Sequence, residues 1–216
     1  AGSGFNRREL LRSAHAMALL SLMGFGTSAF GQEGTGKRLP APQYTPKDTF
    51  FGRAFIDVDE WRDSPVRMRY IHGGFEDTHT RFSFYMPDKS LYKDRMYHNL
   101  AGGSGGSETG VLNALRQFDQ IGVTPPRSLL NAFDLGGFLI ESNQGHFGDD
   151  MSGIKGDPSI VSWRASTETA RFARIVATEM YGAAPKFGYI YGGSGGAVRS
   201  INCIERVPDI WQGSMP

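Results

Sequence analysis

The stretch YIYGGSGGAVRS, residues 189–200, places a serine between two glycine pairs directly after a short apolar run. FGYIY predicts a strand, and AVRSINCIERV, which ends before Pro208, predicts a helix. A turn that joins these elements within a few residues leaves no room for side chains beside the serine, and glycine meets that demand. The sequence therefore predicts a tight strand–turn–helix unit with Ser194 at its tip.

The elements before this unit predict an α/β fold. Between residues 51 and 86, apolar residues alternate as in antiparallel strands. RMYHNLAG and GFLIESN then predict buried strands, SLLNAFDLGG predicts a short helix, and residues 163–182 predict a long helix with apolar residues at i, i+3, i+4 and i+8 from Phe172. An antiparallel start followed by alternating strands and helices predicts a mostly parallel sheet, with sites at the carboxyl ends of the strands.

Residues 1–31 predict an export signal that is removed from the mature protein. Arg7 and Arg8 precede an apolar stretch that is too short and too interrupted by Ser and Gly to span a membrane, and Ala29 starts a small-residue cleavage site. The paired arginines resemble the twin-arginine route. We therefore expect a periplasmic or secreted protein without membrane association after signal removal; an amphipathic surface helix is the alternative for this segment.

Two further segments follow the signal. Residues 32–50 are polar and rich in proline, which predicts an extended arm or linker. Residues 51–216 are long enough to bury one sizeable core and form the predicted α/β domain.

The composition argues against several classes of protein. With 23 basic and 22 acidic side chains, the chain gives no reason to expect a nucleic-acid partner. Its five histidines lack a zinc spacing and its one cysteine, Cys203, cannot form an internal disulfide, so we expect no metal and no disulfide. Neither GGSGG string has the lysine of a phosphate-binding loop, and we expect no cofactor.

The pattern from Gly192 to Gly196 fits G-x-S-x-G, the turn that exposes the nucleophile of many serine hydrolases. The pattern alone has little specificity in a chain with 29 glycines, but a strand before it and a helix after it form the required context. The alternative is a plain glycine turn with a serine cap on the next helix.

A second GGSGG, residues 102–106, needs a different explanation, because no clear helix pattern starts directly after it. An acyl-transfer site needs two backbone N–H donors for the oxyanion, one from the residue after the nucleophile and one from an earlier loop. Gly195 and the loop around Gly103 are the predicted donors. HGGF, residues 72–75, lies between two alternating strands, where its glycines predict a bend or bulge instead.

Several segments resemble the tannase and feruloyl esterase family of the α/β-hydrolase superfamily. They are MPDKSLYKDRMYHNLAGGSGG, GFLIESNQGH and the run from ETARF to DIWQG, so the likeness extends from about Tyr70 to the end. The resemblance implies that Ser194 is the nucleophile, that Gly195 and Gly103 bind the oxyanion, and that the substrate is a small or polymer-linked ester of a galloyl or feruloyl type. It implies that His146 lines the site, although a histidine after a strand is more often structural.

The sequence departs from that family at two points. The family has a cysteine immediately before the nucleophile, where this chain has Gly193, and Cys203 lies a helix away. All five histidines precede Ser194, although hydrolases of this fold place the acid and the histidine after the serine. Asp209 is the sole aspartate after Ser194, and its surroundings predict a turn.

We therefore expect this sequence to be the amino-terminal part of an exported α/β-hydrolase whose sheet is incomplete at the carboxyl end. Its acid, its base and any lid would lie beyond Pro216, and residues 1–216 alone would be inactive. Two alternatives stay open: another serine hydrolase of this fold, such as a polyester depolymerase or a peptidase, and a non-catalytic exported binding protein that has lost the triad.

Overall fold

The computed structural model describes residues 37–122 and 124–216. The predicted export signal, residues 1–31, lies outside these residues. Among the described residues, no helix is both long enough and apolar enough to cross a membrane.

One mixed sheet organises the described part of the chain. The strands are β1 (Ala54–Arg62), β2 (Met68–Phe75), β3 (Arg81–Pro87), β4 (Arg95–Leu100), β5 (Gly137–Ser142), β6 (Phe187–Gly192) and β7 (Gly213–Met215). Their order in the sheet is β1-β2-β3-β5-β4-β6-β7. β1, β2, β3 and β5 pair antiparallel in turn, whereas β5, β4, β6 and β7 pair parallel. β2 and β4 to β7 therefore run in one direction, which confirms the predicted mostly parallel sheet with an antiparallel start.

Helices cover both faces of this sheet. They are α1 (Gly110–Ile121), α2 (Arg127–Asp134), α3 (Ala165–Tyr181) and α4 (Gly195–Arg206). α1 and α2 pack on one face through residues such as Leu112 and Leu129, and α3 and α4 pack on the other through residues such as Phe172 and Cys203. A single turn of π-helix, Ile160–Arg164, leads into α3.

Two elements were not predicted from the sequence. α1 begins at Gly110, soon after the GGSGG of residues 102–106, where no helix was expected; the apolar residues Val111, Leu112 and Leu115 on its buried side were the available signal. β7 contains only three residues and no apolar alternation. It exists because Tyr189–Tyr191 of β6 offers a parallel partner for Gly213–Met215.

The core on the α3 side is rich in aromatic rings. Phe172 of α3 lies with its ring centroid 5.4 Å from that of Phe82 and 6.1 Å from that of Phe84. Val176 is buried as predicted, but Ile175 is 37% exposed. The small side chains Ala173 and Ala177 take its expected place, because they let the helix approach the sheet closely.

The described part of the proline-rich arm, residues 37–50, is irregular, ends in a bend and turn at residues 47–50, and packs against α3 and the π-helical turn before it. Leu39 forms a single bridge with Ile56 of β1. The Tyr44 hydroxyl donates to the buried carboxylate of Glu168, and Arg164 makes a bidentate ion pair with Asp48. The described part of the arm therefore covers part of the core.

We expect Phe172→Ala to lower the free energy of unfolding by about 3–5 kcal/mol, because it leaves a cavity among aromatic rings that cannot collapse into it. Ile175→Ala, on the exposed side of the same helix, is the matched control and should cost less than about 1 kcal/mol. Urea denaturation of both variants measures the difference. Equal losses would contradict the assignment of the buried face.

Candidate active site

Ser194 stands at the tip of a strained turn between β6 and α4, which we call the elbow (residues 192–196). Its backbone has φ 56° and ψ −119°, and its side chain is exposed. A Cβ atom on Gly192 would lie 2.6 Å from the Leu100 carbonyl oxygen, and one on Gly196 would lie 2.5 Å from it. Only glycine fits at either of these two positions, as predicted, whereas a Cβ atom on Gly193 would meet no atom within 4 Å, so the predicted steric reason does not apply to Gly193. A positive φ at a non-glycine residue costs free energy and persists where the surroundings enforce it.

The second GGSGG meets the elbow at the carboxyl end of β4. We call residues 101–107 the glycine loop; Gly103, Gly105 and Gly106 have φ values of 59°, 91° and 90°. A Cβ atom on Gly195 would lie 2.1 Å from the Gly103 carbonyl oxygen, so the loop is in direct contact with the elbow. The structure thus brings together the predicted site residues Ser194, Gly195 and Gly103.

Several backbone donors are free where these two segments meet. Among the described residues, the N–H groups of Gly103, Ser104 and Gly195 find no hydrogen-bond acceptor. The N-terminal end of α4, which carries a partial positive charge, lies at the same place. This arrangement can bind an anionic oxygen next to the Ser194 hydroxyl.

Two buried side chains hold the glycine loop by its carbonyl groups. The Arg199 guanidinium, on α4, donates from Nη2 to the carbonyl oxygens of Ala101 and Gly103, at 2.6 and 3.0 Å. His146 has Nε2 2.9 Å from the Ser104 carbonyl oxygen and Nδ1 2.9 Å from that of Gly148. His146 therefore contacts the loop and not Ser194. Arg199 was not identified from the sequence, because a lone arginine on a helix carries no motif.

The HGGF segment forms the end of β2. A Cβ atom on Gly73 would lie 2.0 Å from the Phe55 carbonyl oxygen, so this glycine permits close approach of β1. The pairing of the two strands shifts register between Ile56 and Val58. The irregularity expected near HGGF is therefore present, but the extra residue, Asp57, belongs to β1.

His72 of this segment bridges two acidic residues in the interior. Its Nδ1 lies 2.6 Å from Asp57 Oδ1 and its Nε2 lies 3.2 Å from Glu108 Oε1. Burial by itself lowers the pKa of His72, but the hydrogen bonds and charges of the two carboxylates outweigh it and raise the pKa to about 9. Since Glu108 follows the glycine loop directly, this cluster ties the loop to β1 and β2.

A second buried carboxylate lies beneath the start of α1. Glu141, near the carboxyl end of β5, accepts hydrogen bonds from the Tyr85 hydroxyl at 2.7 Å and the Val111 N–H at 3.0 Å. Complete burial raises the pKa of Glu141 to about 8, although both hydrogen bonds favour its charged form. Glu141 therefore links β3, β5 and α1 below the glycine loop.

No described group is placed to take the proton of Ser194. In residues 37–122 and 124–216, none of the histidines makes a hydrogen bond to its hydroxyl. His98 is fully buried, and burial lowers its pKa to about 3. Asp209 lies in the turn after α4, as predicted.

The one cysteine and the metal-ligating side chain types of the described part are placed as follows. Cys203 is free and buried, and burial raises the pKa of its thiol to about 12, so it is not a ready nucleophile. Within residues 37–122 and 124–216, no three His, Cys, Asp or Glu side chains are grouped so that they could hold a metal ion.

Comparison with known proteins identifies the fold. No protein-family model and no curated protein sequence matches this chain. Feruloyl esterase B from Aspergillus oryzae superposes with a TM-score of 0.54 at 15% identity, over 77% of this chain and 34% of that one. The rice cell wall degrading esterase LipA from Xanthomonas oryzae gives 0.51 at 11% identity, over 74% of this chain and 48% of that one. Tannin acyl hydrolase from Aspergillus niger gives 0.49, too low to support an argument.

The chain has the α/β-hydrolase fold, as its strand order and the two closer likenesses show. It spans about a third to a half of the length of those two structures. At such low identities the likeness concerns the fold, and the chemistry has to be argued from the site.

The buried cluster at His72 predicts a pH-dependent stability. The pKa of His72 is raised from 6.5 to about 9 in the folded state. The contribution of protonated His72 to the free energy of unfolding is therefore complete below pH 6.5 and is lost as the pH rises to 9. We expect the contribution of His72 to the free energy of unfolding to fall by on the order of 3 kcal/mol across this window, measured by urea denaturation.

Two variants separate this effect from that of Glu141, whose raised pKa makes stability fall between pH 4.5 and 8. His72→Gln should flatten the profile above pH 8, and Glu141→Gln should flatten it only below pH 8. A His72→Gln profile with the wild-type slope above pH 8 would show that His72 does not gain a proton on folding.

Proposed function

We propose that this protein is an exported serine esterase that hydrolyses carboxylic esters through an acyl-serine intermediate. One observation carries the proposal: Ser194 holds φ 56° at an exposed tip between a strand and a helix, beside unpaired backbone N–H groups. A strained backbone at an exposed residue adds nothing to stability, and presenting a hydroxyl for attack is the known use of such a turn. The proposal that the protein is exported depends on the predicted signal at residues 1–31.

The chemistry follows from this arrangement. The Ser194 oxygen bonds to the ester carbonyl carbon, the carbonyl electron pair moves to its oxygen, and the hydroxyl proton passes to a base. The oxyanion accepts hydrogen bonds from Gly195 N–H and from the glycine loop around Gly103. Collapse of the intermediate expels the alcohol, which takes up the proton. Water then attacks the acyl-serine by the same steps and releases the acid.

The lack of a described base next to Ser194 favours one rival, an exported binding protein that keeps the fold without catalysis. A serine hydroxyl reacts slowly unless a base removes its proton, so reaction with an electrophilic probe separates the two functions.

We expect a fluorophosphonate probe to label the protein expressed from its complete gene, and Ser194→Ala to abolish labelling. Ser90→Ala, which removes an exposed hydroxyl remote from the elbow, should label like the wild type. Intact-mass spectrometry counts the adduct, and circular dichroism checks the fold of each variant. An unlabelled wild type, or labelling that survives Ser194→Ala, would exclude the serine-esterase mechanism.

For the substrate we propose an ester with an aromatic acyl part, such as a feruloyl or galloyl ester. Two observations support this class: the segments that resemble the tannase and feruloyl esterase family, and the likeness to feruloyl esterase B from Aspergillus oryzae. The fold alone leaves the substrate open, because one fold hosts many specificities.

We expect kcat/KM for methyl ferulate or methyl gallate to exceed kcat/KM for p-nitrophenyl acetate, once the latter value is corrected for the better leaving group of that ester. Polyester films and peptide anilides test the other hydrolases of this fold in the same panel. Preference for a polyester or a peptide would keep Ser194 as the nucleophile and overturn the aromatic-acyl proposal. Hydrolysis by Ser194→Ala supplies the background rate.

A further inference from the structure

Arg199 is the charged side chain of α4 that contacts the glycine loop. Only 7% of the residue is exposed, and its Nη1 lies 3.5 Å from the Ser104 carbonyl oxygen in addition to the two shorter bonds to Ala101 and Gly103. A Cβ atom on Gly195 would lie 3.2 Å from Arg199 Nη2. The guanidinium therefore touches both segments that carry the unpaired N–H groups.

Burial of this guanidinium costs free energy. No carboxylate of the described residues forms an ion pair with it, and its Nε has no hydrogen-bond partner there. Burial lowers the pKa of Arg199, as expected for a cation removed from water without a counter-ion. An apolar side chain would pack between the helix and the loop at a smaller cost in free energy. The arginine is therefore not explained by packing alone.

The hydrogen bonds of Arg199 decide how the peptide groups of the glycine loop are turned. In a planar trans peptide the carbonyl group and the following N–H point in opposite directions. Fixing the Gly103 carbonyl on the guanidinium therefore turns the Ser104 N–H away from it, and fixing the Ala101 carbonyl does the same for Gly102 N–H. Glycine loops have many accessible peptide orientations, so a separate group is needed to select one.

We infer that Arg199 is a positioning residue that keeps the glycine loop turned with the Ser104 N–H available to the oxyanion and in register with Gly195. The inference rests on the proposed esterase function. Arg199 touches neither substrate nor reacting atoms in this role; it acts through the carbonyl groups of Ala101, Gly103 and Ser104. Its positive charge next to Gly195 also favours the anion that forms in the transition state.

The test compares Arg199→Ala and Arg199→Lys with the wild type, using the best ester of the panel. Because oxyanion donors act mainly on the transition state, we expect Arg199→Ala to lower kcat by about 10- to 100-fold with KM changed less than about threefold. Added guanidinium chloride at low millimolar concentration should restore part of kcat. The kcat of Arg199→Lys should lie between that of the wild type and that of Arg199→Ala, because one ammonium group cannot span three carbonyl oxygens.

Arg95→Ala is the matched control, since Arg95 also donates to backbone carbonyl groups, those of Lys93 and Leu135, but at the opposite end of β4. It should leave kcat, KM and the response to guanidinium unchanged. Hydrogen–deuterium exchange of the 101–107 segment gives a readout without catalysis, and Arg199→Ala should accelerate it while Arg95→Ala does not.

The outcomes distinguish this inference from the proposed function. A wild-type kcat in Arg199→Ala overturns the role of Arg199. So does a loss of kcat that guanidinium does not rescue and that is not accompanied by faster exchange at residues 101–107. Absence of esterase activity in the wild type defeats the proposed function. In that case the exchange experiment still decides whether Arg199 orders the loop: unchanged exchange overturns the inference.

Discussion

The contact between the elbow and the carboxyl end of β4 determines the rest of this site. The Leu100 carbonyl oxygen occupies the space that side chains on Gly192 and Gly196 would need, and the Gly103 carbonyl oxygen does the same at Gly195. Parallel pairing of β4 with β6 brings the two strand ends side by side, from Arg95 with Phe187 to Leu100 with Gly192. Two glycine-rich segments far apart in sequence therefore meet within van der Waals distance, and the strain at Ser194 is held in place by this packing.

Buried polar groups contact the glycine loop and the residues that follow it. The cluster of His72 with Asp57 and Glu108 anchors the end of the loop, and Glu141 anchors the start of α1 that follows it. Such groups are costly in an apolar interior unless their hydrogen bonds are satisfied. Their concentration under one loop, with apolar cores on either side, is typical of a site whose geometry has to be rigid.

Much of this architecture follows from local sequence signals. The alternating residues of β2 and β3, the helix pattern of α3 and the glycine-flanked serine each have a local physical cause: period, end signals and turn chemistry. The predictions that were wrong or absent depended on distant partners. Ile175 is exposed because alanines face the sheet, β7 exists because β6 offers an edge, and the role of Arg199 depends on carbonyl groups about a hundred residues earlier.

The sequence by itself determined most of the helices and strands, α1 and β7 excepted, and the residue types available at the elbow, because strand and helix periods, helix ends and glycine turns act over a few residues. Only the tertiary structure decided that the two GGSGG strings meet, that Asp57 is the residue bulged out opposite His72, and that Arg199 and His146 hold the loop by its carbonyl groups. These contacts join residues far apart in the chain, and their geometry comes from sheet order and close packing, which no local pattern encodes.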